Sequence, residues 1–270
     1  MRTRLAISRT AARAIARHRR SRVGRWVGTQ AFALWRAYEN DSADGRLNGE
    51  WRVLTALAGT PLIQAFDVGA HDGAWTQALL DRHLGTAVHC FEIEPSNRAR
   101  LIEQVGGDPR VSVSAFGLAS HPGSLDVWVD PAHPDMASTV GPPPDAVHAI
   151  HSICRVETGD RYLAEHGIDS VDFLKIDVEG AELDVLRGFA DALADERLGA
   201  VQFEFTLWAA PARVWLRDLY DFLEPLGFSI GKIFPTYVEW RSYKAEHEVF
   251  VRANFLAVHR SRGDMLDRLQ

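Results

Sequence analysis

The chain has 270 residues, 46% hydrophobic and 24% charged, enough apolar matter for one sizeable core with at most one appendage. Its two cysteines, Cys90 and Cys154, lie far apart and match no metal or redox spacing, and no apolar run approaches the ~20 residues that cross a bilayer as a helix. A soluble, cytoplasmic protein with reduced thiols is expected. The net charge of −6 conceals an asymmetry, because residues 1–38 hold ten arginines and no acid.

That arm differs in chemistry from the rest of the chain, so residues 1–45 are expected to form a basic extension and residues 46–270 the folded domain. Arg9, Arg13, Arg17 and Arg20 recur near helical spacing, with Ile15, Trp26, Val27, Phe32 and Trp35 supplying apolar surface. Three roles remain open for residues 1–38: a solvated tail, a helix in peripheral contact with an anionic membrane, and a targeting or nucleic-acid-binding arm. Nucleic acid is not the expected partner.

From residue 50 strand-like and helix-like segments alternate. Residues 50–59 read as a leading helix, 62–68 (LIQAFDV) as an apolar strand, 74–83 as a helix, 86–93 (TAVHCFEI) as a strand and 96–105 as a helix. A third strand is expected over 111–118 and a half-exposed one over 124–130. Residues 131–151 hold five of the twelve prolines, which predicts a long, substrate-facing loop without regular structure. The pattern resumes with a strand at 171–177, a helix at 181–189, a strand at 200–206, a helix at 212–226 and strands at 227–233 and 253–258. Repeated strand–helix units predict an α/β fold with a mainly parallel sheet covered on both faces, and ligands at the carboxyl ends of its strands.

Two strand ends carry a nucleoside-binding pattern. In FDVGAHDG, Gly69 and Gly73 permit tight turning before a helix amino terminus, and Asp67 stands at the strand tip. About twenty-five residues on, Glu92 ends the second strand, where a carboxylate can accept from both hydroxyls of an adenosine ribose. A dinucleotide would need G-x-G-x-x-G for its pyrophosphate, and this turn reads G-A-H-D-G. S-adenosylmethionine, whose positive sulfur and ammonium suit Asp67, is therefore preferred. A nicotinamide oxidoreductase and a non-catalytic adaptor working through the basic arm are the alternatives.

FDVGAHDG, FEIEPSNRARL and above all VETGDRYLAEHGIDSVDFLKIDVEGAELDVLRGF resemble the FkbM-type family of S-adenosylmethionine-dependent methyltransferases over residues 62–260. The resemblance implies a Rossmann-like class I methyltransferase sandwich, with a seven-stranded sheet whose last strand, 253–258, is antiparallel. It also implies that Asp67, Gly69, His71 and Gly73 line the methionine end of the cofactor, that Glu92 holds the ribose, and that Phe116 and Gly117 lie near the adenine. His71 stands where the family commonly has asparagine, and Gly159 where Leu-Asp is usual. Acceptors implied by the resemblance are hydroxyls of sugars, glycolipids and other natural products, methylated on oxygen.

The segment DFLKIDVEGAEL crowds charge around the end of a core strand, where unpaired charge is costly. Strand alternation sends Lys175, Asp177 and Glu179 to one face or tip, with Glu204 of the next strand converging on them. These four are the candidate catalytic residues: Lys175 to neutralise its neighbours and orient the acceptor, a carboxylate to take its proton. Glu182 is expected to support the helix that leaves the strand. His121, His133, His148, His151 and His247 match no metal pattern, and no metal is expected. Trp128, Trp208, Trp215 and Trp240 are offered as stacking platforms for a sugar.

Overall fold

The computed structural model describes residues 9–130, 133–139, 141–142 and 148–270, with residues 9 and 133–136 described by backbone alone. The chain divides into two compact units, one ending at Asp41 and the other running from Ser42 to Gln270. The first contains α1 (Arg9–Arg17) and α2 (Arg22–Tyr38). The Ser21 side chain caps α2 by accepting from the Gly24 N–H.

The second unit begins with α3 (Gly45–Asn48) and α4 (Glu50–Ala56), then alternates β1 (Gln64–Val68), α5 (Ala74–Leu80), β2 (Ala87–Phe91), α6 (Pro95–Val105) and β3 (Val111–Ser114). Four strands follow: β4 (Gly117–Leu118), β5 (Gly123–Asp130), β6 (His133–Ser138) and β7 (Ile150–Glu157). Alternation resumes with α7 (Gly159–His166), β8 (Val171–Ile176), α8 (Glu182–Arg187), α9 (Ala190–Ala194), β9 (Leu198–Phe205), α10 (Ala209–Ala212) and α11 (Leu216–Leu223). The chain closes with β10 (Phe228–Ile233), β11 (Val238–Trp240), β12 (Ala253–His259) and α12 (Gly263–Arg268).

The main sheet runs β11-β10-β12-β9-β8-β1-β2-β3. Its five strands from β3 to β9 are mutually parallel, and β12 inserts antiparallel between β9 and β10. The expected seven strands with a reversed last one are thus present, with β11 as an eighth, antiparallel at the edge. Three residues are too few to show a period of two in the sequence.

Each central strand feeds both apolar layers, as a parallel sheet buried on both faces requires. Leu174 and Ile176 pack with α7, α8, α9 and α11, whereas Phe173 packs with α4, α5, α6 and α12. Lys175 shares the side of Phe173, so strand parity turns its ammonium toward α4 and α5.

Three expectations are corrected. The strand read over 111–118 is split: β3 belongs to the main sheet, while β4 leaves it to pair with β7 in a second sheet ordered β4-β7-β5-β6. Part of the proline-rich segment forms β6, antiparallel to β5. As the edge strand it needs no N–H from Pro134 on its open side. The remaining residues 131–132, 140 and 143–147 lie outside the described residues. The helix read over 212–226 starts only at Leu216, because Arg213 adopts a left-handed conformation with φ 57°. Gly159, a departure from the family pattern, has its own explanation: a Cβ there would come within 2.3 Å of the Phe189 ring, so the larger aromatic occupies the space.

Candidate active site

Two cavities meet at the carboxyl ends of β1, β8 and β9. The first, of about 370 Å³, has a charged wall of Glu50, Glu92, Asp177, Glu179, Glu204 and Arg252. Opposite lies an apolar wall of Leu118, Leu125, Val127 and Val156, largely from the second sheet, with Ala137 and Thr139 at its margin. The second, of about 310 Å³, lies between residues 43–51 and the turn after β1, and reaches Lys175. Ala43, Glu50, Gly69, His71 and Asp177 line both.

Strand register builds the charged wall. Asp67 pairs with Lys175 across β1 and β8, and Lys175 with Gln202 across β8 and β9, so three polar residues form a row across a core sheet. Two residues further along, on the same side by parity, stand Gly69, Asp177 and Glu204, and at the end of β2 stands Glu92. In the inner row Asp67 and Gln202 are wholly buried and Lys175 reaches only the second cavity, while the outer row lines the first.

Lys175 is the centre of the inner row. Its Nζ lies 3.2 Å from Asp177 Oδ2 and 3.6 Å from Asp67 Oδ1, with its side chain 8% exposed. Burial opposes its charge, but Asp177, Asp67 and Glu50 outweigh burial and hold its pKa well above the ordinary lysine value. Asp67 is wholly buried, and its Oδ2 accepts from Thr76 Oγ1 at 2.7 Å. Burial raises its pKa despite Lys175 and Thr76. Asp67 lines neither cavity, and the partner it meets is Lys175. Lys175 itself lines only the second cavity, and is not on the wall with Glu179 and Glu204.

Glu50, which the sequence reading missed, completes the surroundings of Lys175. Its carboxylate accepts from Asn48 Nδ2 (2.6 Å), Gln202 Nε2 (2.8 Å) and Asn254 Nδ2 (3.2 Å). These partners lie up to 204 residues away, and no local pattern marks the convergence. The pKa of Glu50 is raised, by burial above all, with Lys175 opposing.

In the outer row, ligand oxygens of Asp177, Glu179 and Glu204 all lie within 4.8 Å of one another. Such a set could hold a metal ion, although Lys175 already meets Asp177 and Arg252 Nε lies 3.3 Å from Glu204 Oε1. Glu204 is held well above the usual carboxylate range by burial and then by Asp177 and Glu179, with Arg252 opposing. Glu179 reaches the group because its φ of 52° ends strand alternation. The turn that permits this is held by Glu182, whose carboxylate accepts from the N–H groups of Val178 and Gly180 at 3.1–3.2 Å.

Burial raises the pKa of Glu182 to about 7 against the backbone hydrogen bonds that favour its charge. A carboxyl raised on folding stabilises the protein below its unfolded pKa, and that contribution is lost as pH rises through about 7. Urea unfolding is therefore expected to show stability falling between pH 5 and 8, with Glu182 supplying on the order of 3 kcal/mol of the change. Glu182→Gln should remove that share of the slope; an unaltered slope would contradict the assignment.

Gly69 fits its place by necessity. Its φ is +79°, and a Cβ would fall 1.9 Å from the Asp177 carbonyl oxygen, so β1 and β8 pass here with room for hydrogen only. The next turn residue, His71, donates its backbone N–H to Glu92 Oε2 at 2.8 Å, while Glu92 Oε1 accepts from Glu94 N–H at 2.7 Å. Burial moves Glu92 up to about 7, with those two bonds opposing. Gly117 lines the first cavity beside Glu92. Gly73 and Phe116 line neither. A Cβ on Gly73 would meet Leu101 Cδ1 at 2.9 Å, so this glycine serves the packing of α6. Phe116 packs against Phe91 and Tyr162, because the chain leaves the main sheet after Ser114. Asn97, on the first turn of α6, lines the cavity unforeseen. Trp128, Trp208, Trp215 and Trp240 line neither cavity; Trp51 and Trp75 line the second.

Parallel strands with one reversed strand inserted, and a cavity at their carboxyl ends bounded by an acid after β2, define the Rossmann-like class I methyltransferase fold. A model of the methyltransferase FkbM domain matches residues 67–230, more than half of the chain, which therefore belongs to that family. The 2-O-methyltransferase NoeI of Sinorhizobium fredii (strain NBRC 101917 / NGR234) is 25% identical over 158 residues. The match covers 54% of this chain and 65% of that protein, a little under two thirds of its length. Among solved structures, methyltransferase FkbM from Methylobacillus flagellatus KT aligns at a TM-score of 0.47 and 15% identity, over 75% of this chain and 47% of that one. N-methyltransferase NodS from Bradyrhizobium japonicum WM9 aligns at 0.41 and 9%, over 77% and 92%.

Proposed function

We propose that this protein transfers a methyl group from S-adenosylmethionine to a hydroxyl oxygen of a saccharide or glycolipid. The observation that carries the reading is one cavity lined both by Glu92 and Gly117 and by the clustered carboxylates Asp177, Glu179 and Glu204. The residues suit the cofactor. Glu92 keeps acceptor capacity beyond its two backbone bonds, and it lines the same cavity as Gly117. The 2-O-methyltransferase name of the relative NoeI supports an oxygen acceptor.

The sulfonium supplies an activated methyl carbon. The protein's own residues would orient the acceptor hydroxyl toward that carbon and take up its proton on methyl transfer, the thioether product leaving with the cofactor. Glu204 is the group we assign to the proton: burial and then Asp177 and Glu179 raise its basicity against Arg252, and it lines the cavity. Asp177 and Glu179 hold the acceptor hydroxyl, and Lys175 fixes Asp177 from behind.

Calorimetry with S-adenosylhomocysteine tests the cofactor assignment. Binding is expected, and Glu92→Gln should weaken it at least about tenfold through one lost charge-assisted hydrogen bond. Unchanged affinity in the variant would refute the ribose role of Glu92. Labelled methyl groups should then appear in the saccharide-containing lipid fraction of a cell extract as base-stable ethers; label confined to amines would overturn the oxygen acceptor.

A further inference from the structure

We propose that the amino-terminal unit holds this protein on the surface of an anionic phospholipid bilayer, with α2 lying in the plane of the interface. The argument rests on the described residues of that unit alone. None of the 17 residues of α2 is buried. On a 3.6-residue period Val23, Val27, Leu34, Trp35 and Tyr38 fall within an arc of about 120°, and Arg22, Arg25, Thr29 and Arg36 lie on the opposite side. Most of the apolar arc is open to solvent: Val23 is 71%, Leu34 73% and Tyr38 78% exposed, with Val27 and Trp35 half-buried. Trp26 and Phe32, also exposed, flank it. A helix that leaves such a face uncovered has hydrophobic stabilisation still to gain from an apolar phase.

Charge selects the phase. Residues 1–38 carry ten arginines and no acid, and only Arg36 of α2 has a carboxylate partner, Asp41, among the described ion pairs. Anionic headgroups complement the arginines while the acyl boundary accepts the apolar arc, and tryptophan and tyrosine suit the depth between them. A nucleic acid would reward the arginines and leave the aliphatic arc in water. A second copy packed on the apolar arc would leave the arginines of the far side in water, with no anionic partner. No helix among the described residues is long and apolar enough to cross a membrane, so the contact is peripheral.

Flotation of the full chain with vesicles tests this. Binding is expected to phosphatidylcholine mixed with phosphatidylglycerol, not to phosphatidylcholine alone, and should weaken with added salt. Arg22→Gln with Arg25→Gln should lower vesicle affinity about fivefold per arginine, and Val23→Ser with Leu34→Ser about tenfold or more. Melting temperature should stay unchanged in both, since these side chains are not buried. Vesicle binding that survives the serine pair intact would overturn the interfacial helix. So would displacement of the wild-type chain from vesicles by single-stranded RNA with no effect of the serine pair on RNA affinity. A dimer in sedimentation equilibrium that the serine pair converts to monomer, with no vesicle binding, would assign the face to a second copy instead.

Discussion

Lys175→Met is expected to destabilise the folded protein by about 3–5 kcal/mol, the range for breaking a buried ion pair from one side. The methionine fills similar volume, so the effect isolates charge. Without the ammonium, wholly buried Asp67 keeps only the Thr76 hydroxyl, and Glu50 and Asp177 lose the cation that offsets their mutual repulsion. The carboxyls must then take up protons or leave the fold. The loss should therefore be greater at pH 8 than at pH 5, because protonation relieves it. Urea unfolding at the two pH values measures this directly. Adding Asp67→Asn to Lys175→Met should recover part of the loss, since it removes the charge left behind. A loss under about 1 kcal/mol at pH 8 would show that the pair is solvated and the inner row open, against the burial of both residues.

Glu204→Gln is expected to lower methyl transfer by about 100- to 10,000-fold, the usual worth of a general base. The same change should leave S-adenosylhomocysteine affinity within about threefold, because the residue proposed to hold the ribose is Glu92, on a different strand. Asp177→Asn and Glu179→Gln should cost less and act on KM more than kcat, as expected for groups that hold the acceptor. With Glu204 raised above the usual range by burial and its neighbours, the acidic limb of wild-type kcat should fall at a higher pH than an ordinary carboxylate would give. In the Glu204→Gln variant that limb should disappear. Retention of more than a tenth of wild-type kcat by Glu204→Gln, together with collapse in Asp177→Asn, would transfer the proton to Asp177.

Much of this site is legible one strand at a time. A period of two places Lys175 and Asp177 on one side of β8 and Glu204 on the corresponding side of β9, and an acid after β2 falls at the cavity mouth because all these strands run in parallel. Less is legible where one residue's surroundings depend on another element's position. Gly73 stands in the expected turn yet lines neither cavity, and a Cβ there would meet Leu101 of α6 at 2.9 Å. Phe116 looked like the end of a third strand, and was turned away when the chain left for the second sheet. Neither outcome has a local cause.

Residue order alone dictates the α/β alternation and the family, and through the family resemblance the reversed last strand, since the motifs that carry them are short spans of chain. Packing in three dimensions was needed to bury Lys175 against the second cavity, away from Glu179 and Glu204, to set Asp67 beside it, and to bring Glu50, Gln202 and Asn254 together there. Strand parity says which residues share a side; it does not say which side is closed by helices and which opens on a cavity. The answer lies in α4 and α5 covering the inner row, and in residues more than two hundred positions apart converging on one carboxylate.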